Sequence, residues 1–168
     1  MTLTGQKPTW LTFDCYGTLI QWDEGLLAAM DRILTTKGTG VDQKAFISAY
    51  DQHEHALEAE PPHRRFAAVS ALALERAMGD FGLPFETADA EILTSSIGKM
   101  PPFPEVVQTL GELKAAGFLL AIISNTDDAI IAGNVSQLGG HIDRVITAEQ
   151  AGAYKPSRQT FHHAWESL

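Results

Sequence analysis

Three short apolar runs, separated by helical patterns, constrain this chain more than any other feature. Trp10-Leu11-Thr12-Phe13 is apolar and β-branched, stops at Asp14 and is followed by Gly17-Thr18, so it reads as a buried strand entering a tight turn. Phe118 to Ile123 is six apolar residues in succession. It is too short for a bundle helix and does not alternate, which suits a parallel strand covered on both faces. Arg144-Val145-Ile146-Thr147 is the third candidate. Strands alternating with helices imply right-handed crossovers and a parallel sheet, so the predicted class is α/β. Ligands of such sheets sit beyond the carboxyl ends of the strands. Asp14, Ser124-Asn125 and the loop from Thr147 to Lys155 occupy those ends.

The helical patterns divide unevenly. Val106, Leu110 and Leu113 share one face, and Gly117 stands where that helix would stop. A second helix spans about 128–138 with Thr126 or Asp127 as N-cap, and Pro156-Ser157 open a last one through Phe161 and Trp165. Residues 21–97 contain no convincing strand. Leu26, Met30, Ile33 and Leu34 make one helical face, and Phe46, Ile47, Tyr50 and Leu57 a second. Phe66, Val69, Ala73, Ala77 and Phe81 make a third, with Ala90 to Ile97 as a fourth element. Breaks fall at residues 37–40, Pro61-Pro62 and Gly82-Leu83-Pro84, and Met100 to Pro104 reads as a linker. The expected division is an α/β core of residues 1–20 and 99–168 interrupted by a helical domain, 21–98.

Composition removes several function classes. With 12 Lys+Arg against 21 Asp+Glu the net charge is −9, which disfavours nucleic-acid binding. No apolar run is long enough to span a membrane, and MTLTGQKPTW does not read as a secretory leader, so the expected location is cytoplasmic. One cysteine, Cys15, excludes an intramolecular disulfide and a multi-cysteine zinc site. A cysteine-phosphatase loop would carry arginine six residues after the thiol, where this chain has Gln21, so Cys15 reads as a small buried residue. His53 and His55 point apart on a helix, His162 and His163 are adjacent, and H-E-x-x-H is absent, so no metal site is expected. There is no G-x-G-x-x-G and no Walker loop.

Phe13-Asp14-Cys15-Tyr16-Gly17-Thr18-Leu19, Ser124-Asn125 and Tyr154-Lys155-Pro156 together resemble motifs one to three of the haloacid dehalogenase superfamily, in that family's order. The helical insertion after the first motif resembles its cap, and the core would then be Rossmann-like. The resemblance implies Asp14 as nucleophile forming a covalent ester, and Lys155 as the charge that keeps Asp14 ionised. It implies Ser124 and Asn125 as hydrogen-bond donors to a substrate carboxylate, and Thr18 as a backbone buttress of the nucleophile turn. Phosphatases of the superfamily carry a second aspartate two places after the nucleophile, to protonate a leaving alkoxide. Here that position is Tyr16, and halide departs without a proton. The F-D-x-Y-G-T-L form therefore resembles the type II 2-haloacid dehalogenases, which implies hydrolysis of a short halogenated carboxylic acid with no metal or other cofactor. Tyr16, Ile20 and Trp22 are the expected apolar walls.

Two departures from the family pattern stand out. The family's halide-binding arginine has no counterpart between Asp42 and Ala59, leaving Arg64 and Arg65 as substitutes. The fourth, acidic motif also has no counterpart, and the family's sheet order would leave the Asp14 strand at an exposed edge. The expectation is then a chain that is poorly stable alone, pairs with a second copy as a homodimer, or belongs to a longer protein. The rival readings are a phosphatase acting on a small phosphate ester, and a truncated relative that keeps the fold without catalysis.

Overall fold

Trp10–Phe13, Leu119–Ser124 and Arg144–Thr147 form strands β1, β2 and β3 of one parallel sheet, in the order β1-β2-β3, in the computed structural model, which describes residues 8–38 and 40–168. Residues 1–7, whose lack of a leader was an expectation, and Thr39 of the first helical break lie outside the described residues. The all-apolar run becomes the central strand, where Leu120, Ala121 and Ile122 are fully buried. A strand covered on both faces has no use for alternation. Register aligns Phe13 with Ile122 and Ser124 with Thr147, so the polar residues after the strands emerge on one edge. Among the described residues β1 pairs with β2 alone.

Four helices are inserted between β1 and the rest: α1 (Trp22–Lys37), α2 (Gln43–Ala59), α3 (Phe66–Asp80) and α4 (Thr87–Ile97). α5 (Val106–Ala115), α6 (Asp128–Val135), α7 (Ala148–Ala151) and α8 (Arg158–Ser167) follow among the strands. Apolar residues at helical spacing decide which faces are covered: α1 buries Leu26, Met30, Ile33 and Leu34, and α3 buries Val69, Ala73 and Ala77. α1 packs on α4 and α2 on α3. Lys37 in the last turn of α1 meets Asp89 in the first turn of α4 at 2.8 Å, with both side chains buried. Each charge suits its helix end, and neither has water as a substitute partner. No helix among the described residues is long and apolar enough to cross a membrane.

Three connections differ from the sequence expectation. The helix expected over 128–138 ends at Val135. Asp127 is its N-cap residue, but the Asp127 carboxylate accepts from the Phe66 and Ala67 N–H groups at 2.8 and 2.9 Å. It thus satisfies the start of α3, which has no side-chain cap of its own. The segment read as a linker is also tied down. Gln21 N–H donates to Pro101 O at 2.9 Å and Phe103 N–H to Leu19 O at 3.0 Å, so the chain enters and leaves the insertion along paired backbones. Close by, a β-carbon on Gly133 of α6 would overlap the Gly98 carbonyl after α4, which is why glycines meet there.

Candidate active site

The turn after β1 is built on one carbonyl. The N–H groups of Thr18, Leu19 and Ile20 converge on Cys15 O at 3.3, 2.8 and 3.0 Å, and Gly17 N–H donates to Ile20 O at 2.9 Å. Gly17 has a φ of 79°, a left-handed conformation that a side chain disfavours. This turn leaves the Asp14 side chain beyond the strand end, 44% exposed. Thr18 makes the expected backbone bond, and its hydroxyl also donates to Asp14 Oδ2 at 3.2 Å.

Lys155 arrives from the loop after α7 and donates from Nζ to Asp14 Oδ1 at 2.6 Å and to Ile123 O at 2.7 Å. The two residues are 141 positions apart in sequence. Asn125 fixes the lysine backbone from both sides: Lys155 N–H donates to Asn125 Oδ1 at 2.6 Å, and Asn125 Nδ2 donates to Lys155 O at 3.2 Å. A pair this exposed adds only about 0–1 kcal/mol to stability, so its weight is chemical. It orients the carboxylate without enclosing it.

Asp14, Tyr16, Trp22, Ser124 and Lys155 line one cavity of about 260 Å³. The Tyr16 and Trp22 rings are 5.2 Å apart, and Tyr16 OH donates to Asn134 Oδ1 at 3.0 Å. Asn134 in turn donates to Ile97 O and Met100 O, which ties the aromatic wall to the end of the insertion. Burial raises the Tyr16 phenol far above its ordinary range, so it stays protonated. The Ser124 hydroxyl is buried on the cavity wall with no hydrogen-bond partner. An unpaired buried hydroxyl is costly, and a ligand oxygen would satisfy it.

Two sequence expectations are corrected here. Ile20 is not a cavity wall: it is fully buried behind the turn, bridged to Tyr16 and Pro102. Arg64 and Arg65 do not replace the missing arginine. Arg64 pairs with Glu60 at 3.0 Å and Arg65 with Glu149 at 2.8 Å, and neither lines the cavity. The Cys15 thiol is buried, and that burial, followed by the neighbouring Asp14 charge, pushes it up to about 12. It stays a protonated thiol, poorly suited to attack.

The opposite wall is acidic. Asp51, Glu54, His55 and Glu58 face the cavity from α2. Their offsets of three, four and seven are one face of a helix. Glu54 accepts from Tyr50 OH at 2.9 Å and is raised to about 7, chiefly by burial. Glu58 accepts from Asn125 Nδ2 at 3.2 Å and is likewise raised to about 7 by burial, which outweighs the opposing pull of His55, Asn125 and Lys155. His55 Nδ1 lies 2.6 Å from Asp51 O, and that bond raises the imidazole above its ordinary value. Sequence reasoning searched this helix for arginine and missed the acids. The polar stripe D-x-x-E-H-x-x-E, set beside the apolar face of Phe46, Tyr50 and Leu57, was the available clue. Among the described residues no group of three or more His, Cys, Asp or Glu side chains is placed to hold a metal ion.

A family model for haloacid dehalogenase-like hydrolases matches residues 9–168. (S)-2-haloacid dehalogenase 1 of Pseudomonas sp. (strain CBS-3) is 28% identical over 163 residues, covering 93% of this chain and 69% of that protein. Haloacetate dehalogenase H-2 of Moraxella sp. (strain B) is 29% identical over 152 residues, covering 87% and 65%. Among solved structures, L-2-haloacid dehalogenase from Xanthobacter autotrophicus with chloropropionic acid covalently bound superposes with a TM-score of 0.77 at 22% identity, covering 95% of this chain and 64% of that one. The chain thus spans about two thirds of the length of these relatives.

Proposed function

This chain belongs to the haloacid dehalogenase-like hydrolase family, and we propose that it hydrolyses short 2-haloalkanoic acids through an ester on Asp14. The observation that carries this reading is the Asp14–Lys155 contact of 2.6 Å, at the mouth of a cavity where Tyr16 stands in the place of a second acid. Asp14 attacks C2 of the substrate, the carbon–halogen bond breaks with inversion, and halide leaves with the electron pair. No proton is needed for that departure, which fits a hydrogen-bonded, protonated Tyr16 in the position that a phosphatase fills with a carboxylic acid. The buried Ser124 hydroxyl and the N–H groups leading into α6 receive the substrate carboxylate. Asn125 has its side chain engaged with the Lys155 backbone and Glu58, so its part is to position the lysine. Tyr16 and Trp22 flank the reacting carbon, and Thr18 steadies the second carboxylate oxygen. Residues 21–98 serve as a cap over the strand ends of a core formed by 1–20 and 99–168.

Water then opens the ester at the Asp14 carbonyl carbon, releasing a 2-hydroxy acid. The names of the relatives support the substrate class: they act on (S)-2-haloacids and haloacetate. Halide release from 2-chloropropionate and monohaloacetates, compared with the Asp14→Ala variant, tests the reading. Asp14-dependent halide release together with an alkyl adduct on Asp14 is expected. Absence of such release, or magnesium-dependent hydrolysis of a phosphate ester abolished by chelator, would overturn it.

A further inference from the structure

Resting on the aspartyl-ester reading, we propose that the preferred substrate is a 2-haloalkanoate with an ammonium group on a short side chain, and that the acids of α2, Glu58 foremost, receive that ammonium. One cavity holds the Asp14–Lys155 pair on one side and the carboxylates of Asp51, Glu54 and Glu58 on the other. A substrate whose carboxylate meets Ser124 and whose C2 meets Asp14 leaves its side chain to the rest of that cavity. Among the described residues, the charged side chains left there are those of α2. Glu54 and Glu58 are four residues apart and stand one above the other on that helix.

These acids differ from others of the chain in how they are neutralised. Asp89, Asp143, Glu60 and Glu149 each pair with a lysine or arginine. Among the described residues Asp51, Glu54 and Glu58 pair with none, because Lys155 is committed to Asp14 and Ile123 O. Glu58 accepts from Asn125 through Oε2, and its Oε1 accepts from no group among the described residues. His55 adds at most one positive charge against three carboxylates. A row of acids alone is an ordinary polar helix face. The second sign of a ligand is Ser124, whose buried hydroxyl lines the same cavity without a partner. One zwitterionic molecule answers both: its carboxylate accepts from Ser124 and its ammonium donates to Glu58.

Protonation ties this preference to pH. Burial holds Glu54 and Glu58 near 7 and raises Asp51 as well. The groups facing them are His55 and Tyr50 on the same helix, Asp23 of α1, Lys155 and Tyr154 on the loop after α7, and Asp14 across the cavity. A simple haloacid leaves the acids partly protonated, whereas an ammonium draws them into the ionised form, because an opposite charge nearby favours the anion. Preference for the ammonium therefore grows as pH rises through about 7. Loss of the His55 proton removes a competing cation and acts in the same direction.

The test measures halide release from 3-amino-2-chloropropanoate and from 2-chlorobutanoate, which has a methyl where the first has its ammonium. Wild type, Glu58→Gln and Glu54→Gln are compared. Any effect of the ammonium on the reactivity of C2 itself is common to all three proteins and cancels. The ratio of kcat/KM for the two acids is expected to fall about 10–10²-fold in Glu58→Gln, chiefly through KM, as for loss of one partner of a close charge pair. A smaller fall is expected in Glu54→Gln. In wild type the ratio should rise with pH through about 7, and Glu58→Gln should flatten that rise. A ratio equal in wild type and both variants overturns the proposal, as does a wild-type ratio that does not change with pH. If Glu58→Gln does not fold, Glu54→Gln and the wild-type pH series decide. Absence of Asp14-dependent halide release from either acid instead overturns the reading beneath it, and this proposal with it.

Discussion

The cavity around Asp14 has two walls drawn from different parts of the chain. One is made by strand ends and their turns, with Asp14, Ser124, Asn125 and Lys155 locked by backbone geometry and short hydrogen bonds. The other is one face of α2, carrying three carboxylates and a histidine where an arginine was expected. The first wall assembles wherever a parallel sheet delivers polar residues past its carboxyl edge, so its chemistry follows from topology. The second depends on which side chains a helix happens to present, and a helix tolerates almost any polar residue there. Burial reconciles an acidic wall with an anionic substrate. By raising Glu54 and Glu58 to about 7 it leaves both partly protonated at neutral pH, which reduces the repulsion.

Removing the charge on the strand-end wall should have the largest effect. Lys155→Met keeps the apolar stem but removes the ammonium from Asp14, and the halide-releasing step should slow by about 10²–10³-fold in single-turnover kinetics. An unchanged rate would mean that this wall does not drive the chemistry. Next is Lys37→Met, in the insertion and outside the cavity lining. It leaves the buried Asp89 carboxylate with the Glu86 N–H but without its cation and should cost about 3 kcal/mol in urea unfolding, with little change in the first-turnover rate of the folded fraction. Loss of rate without loss of stability would join two regions that are held here to be separable.

The acidic wall can be probed by titration. Glu54 ordinarily ionises near 4.5 but holds its proton to about 7 when folded. The unfolded chain therefore binds fewer protons above 4.5, and stability should fall as pH rises from about 4.5 to 7, then level off. Glu54→Gln keeps an acceptor for Tyr50 OH and should reduce that slope to the share contributed by Glu58, making the protein about 1–3 kcal/mol more stable at pH 8 than wild type. A parallel pair of stability curves would show that Glu54 is not the acid responsible. The smallest effect is expected at the seam between the two regions. Asp127→Ala leaves the Phe66 and Ala67 N–H groups unpaired and should cost about 1 kcal/mol in thermal or urea unfolding.

Legibility in the sequence follows the same division. Trp10 to Phe13 and Arg144 to Thr147 are strands over the very residues expected, and the four helical faces of the insertion were readable from apolar spacing. Asp14 and Lys155 were placed together from their positions at strand ends, and they meet at 2.6 Å. What was not legible is tertiary. Asp127 looked like the cap of its own helix because a sequence shows only local neighbours, whereas its carboxylate reaches α3, about sixty residues earlier. Ile20 was given to the cavity because it follows the nucleophile closely, but the turn on Cys15 O carries it into the core. Asn134 gave no hint of its hold on Tyr16, since nothing in its own helix marks it. Glu58 was overlooked because the family pattern directed attention to a residue type that is absent.

One measurement bears most directly on Asp14 as a carbon nucleophile. A single turnover of 2-chloropropionate, with enzyme in excess and in water enriched in oxygen-18, is followed by mass analysis of the product and of the peptide containing Asp14. Label in the Asp14 peptide and none in the 2-hydroxy acid is the predicted result, because water attacks the ester carbonyl and the product keeps an oxygen of the aspartate. Label in the 2-hydroxy acid with an unlabelled peptide would mean that water attacks the substrate carbon directly, and would contradict the account.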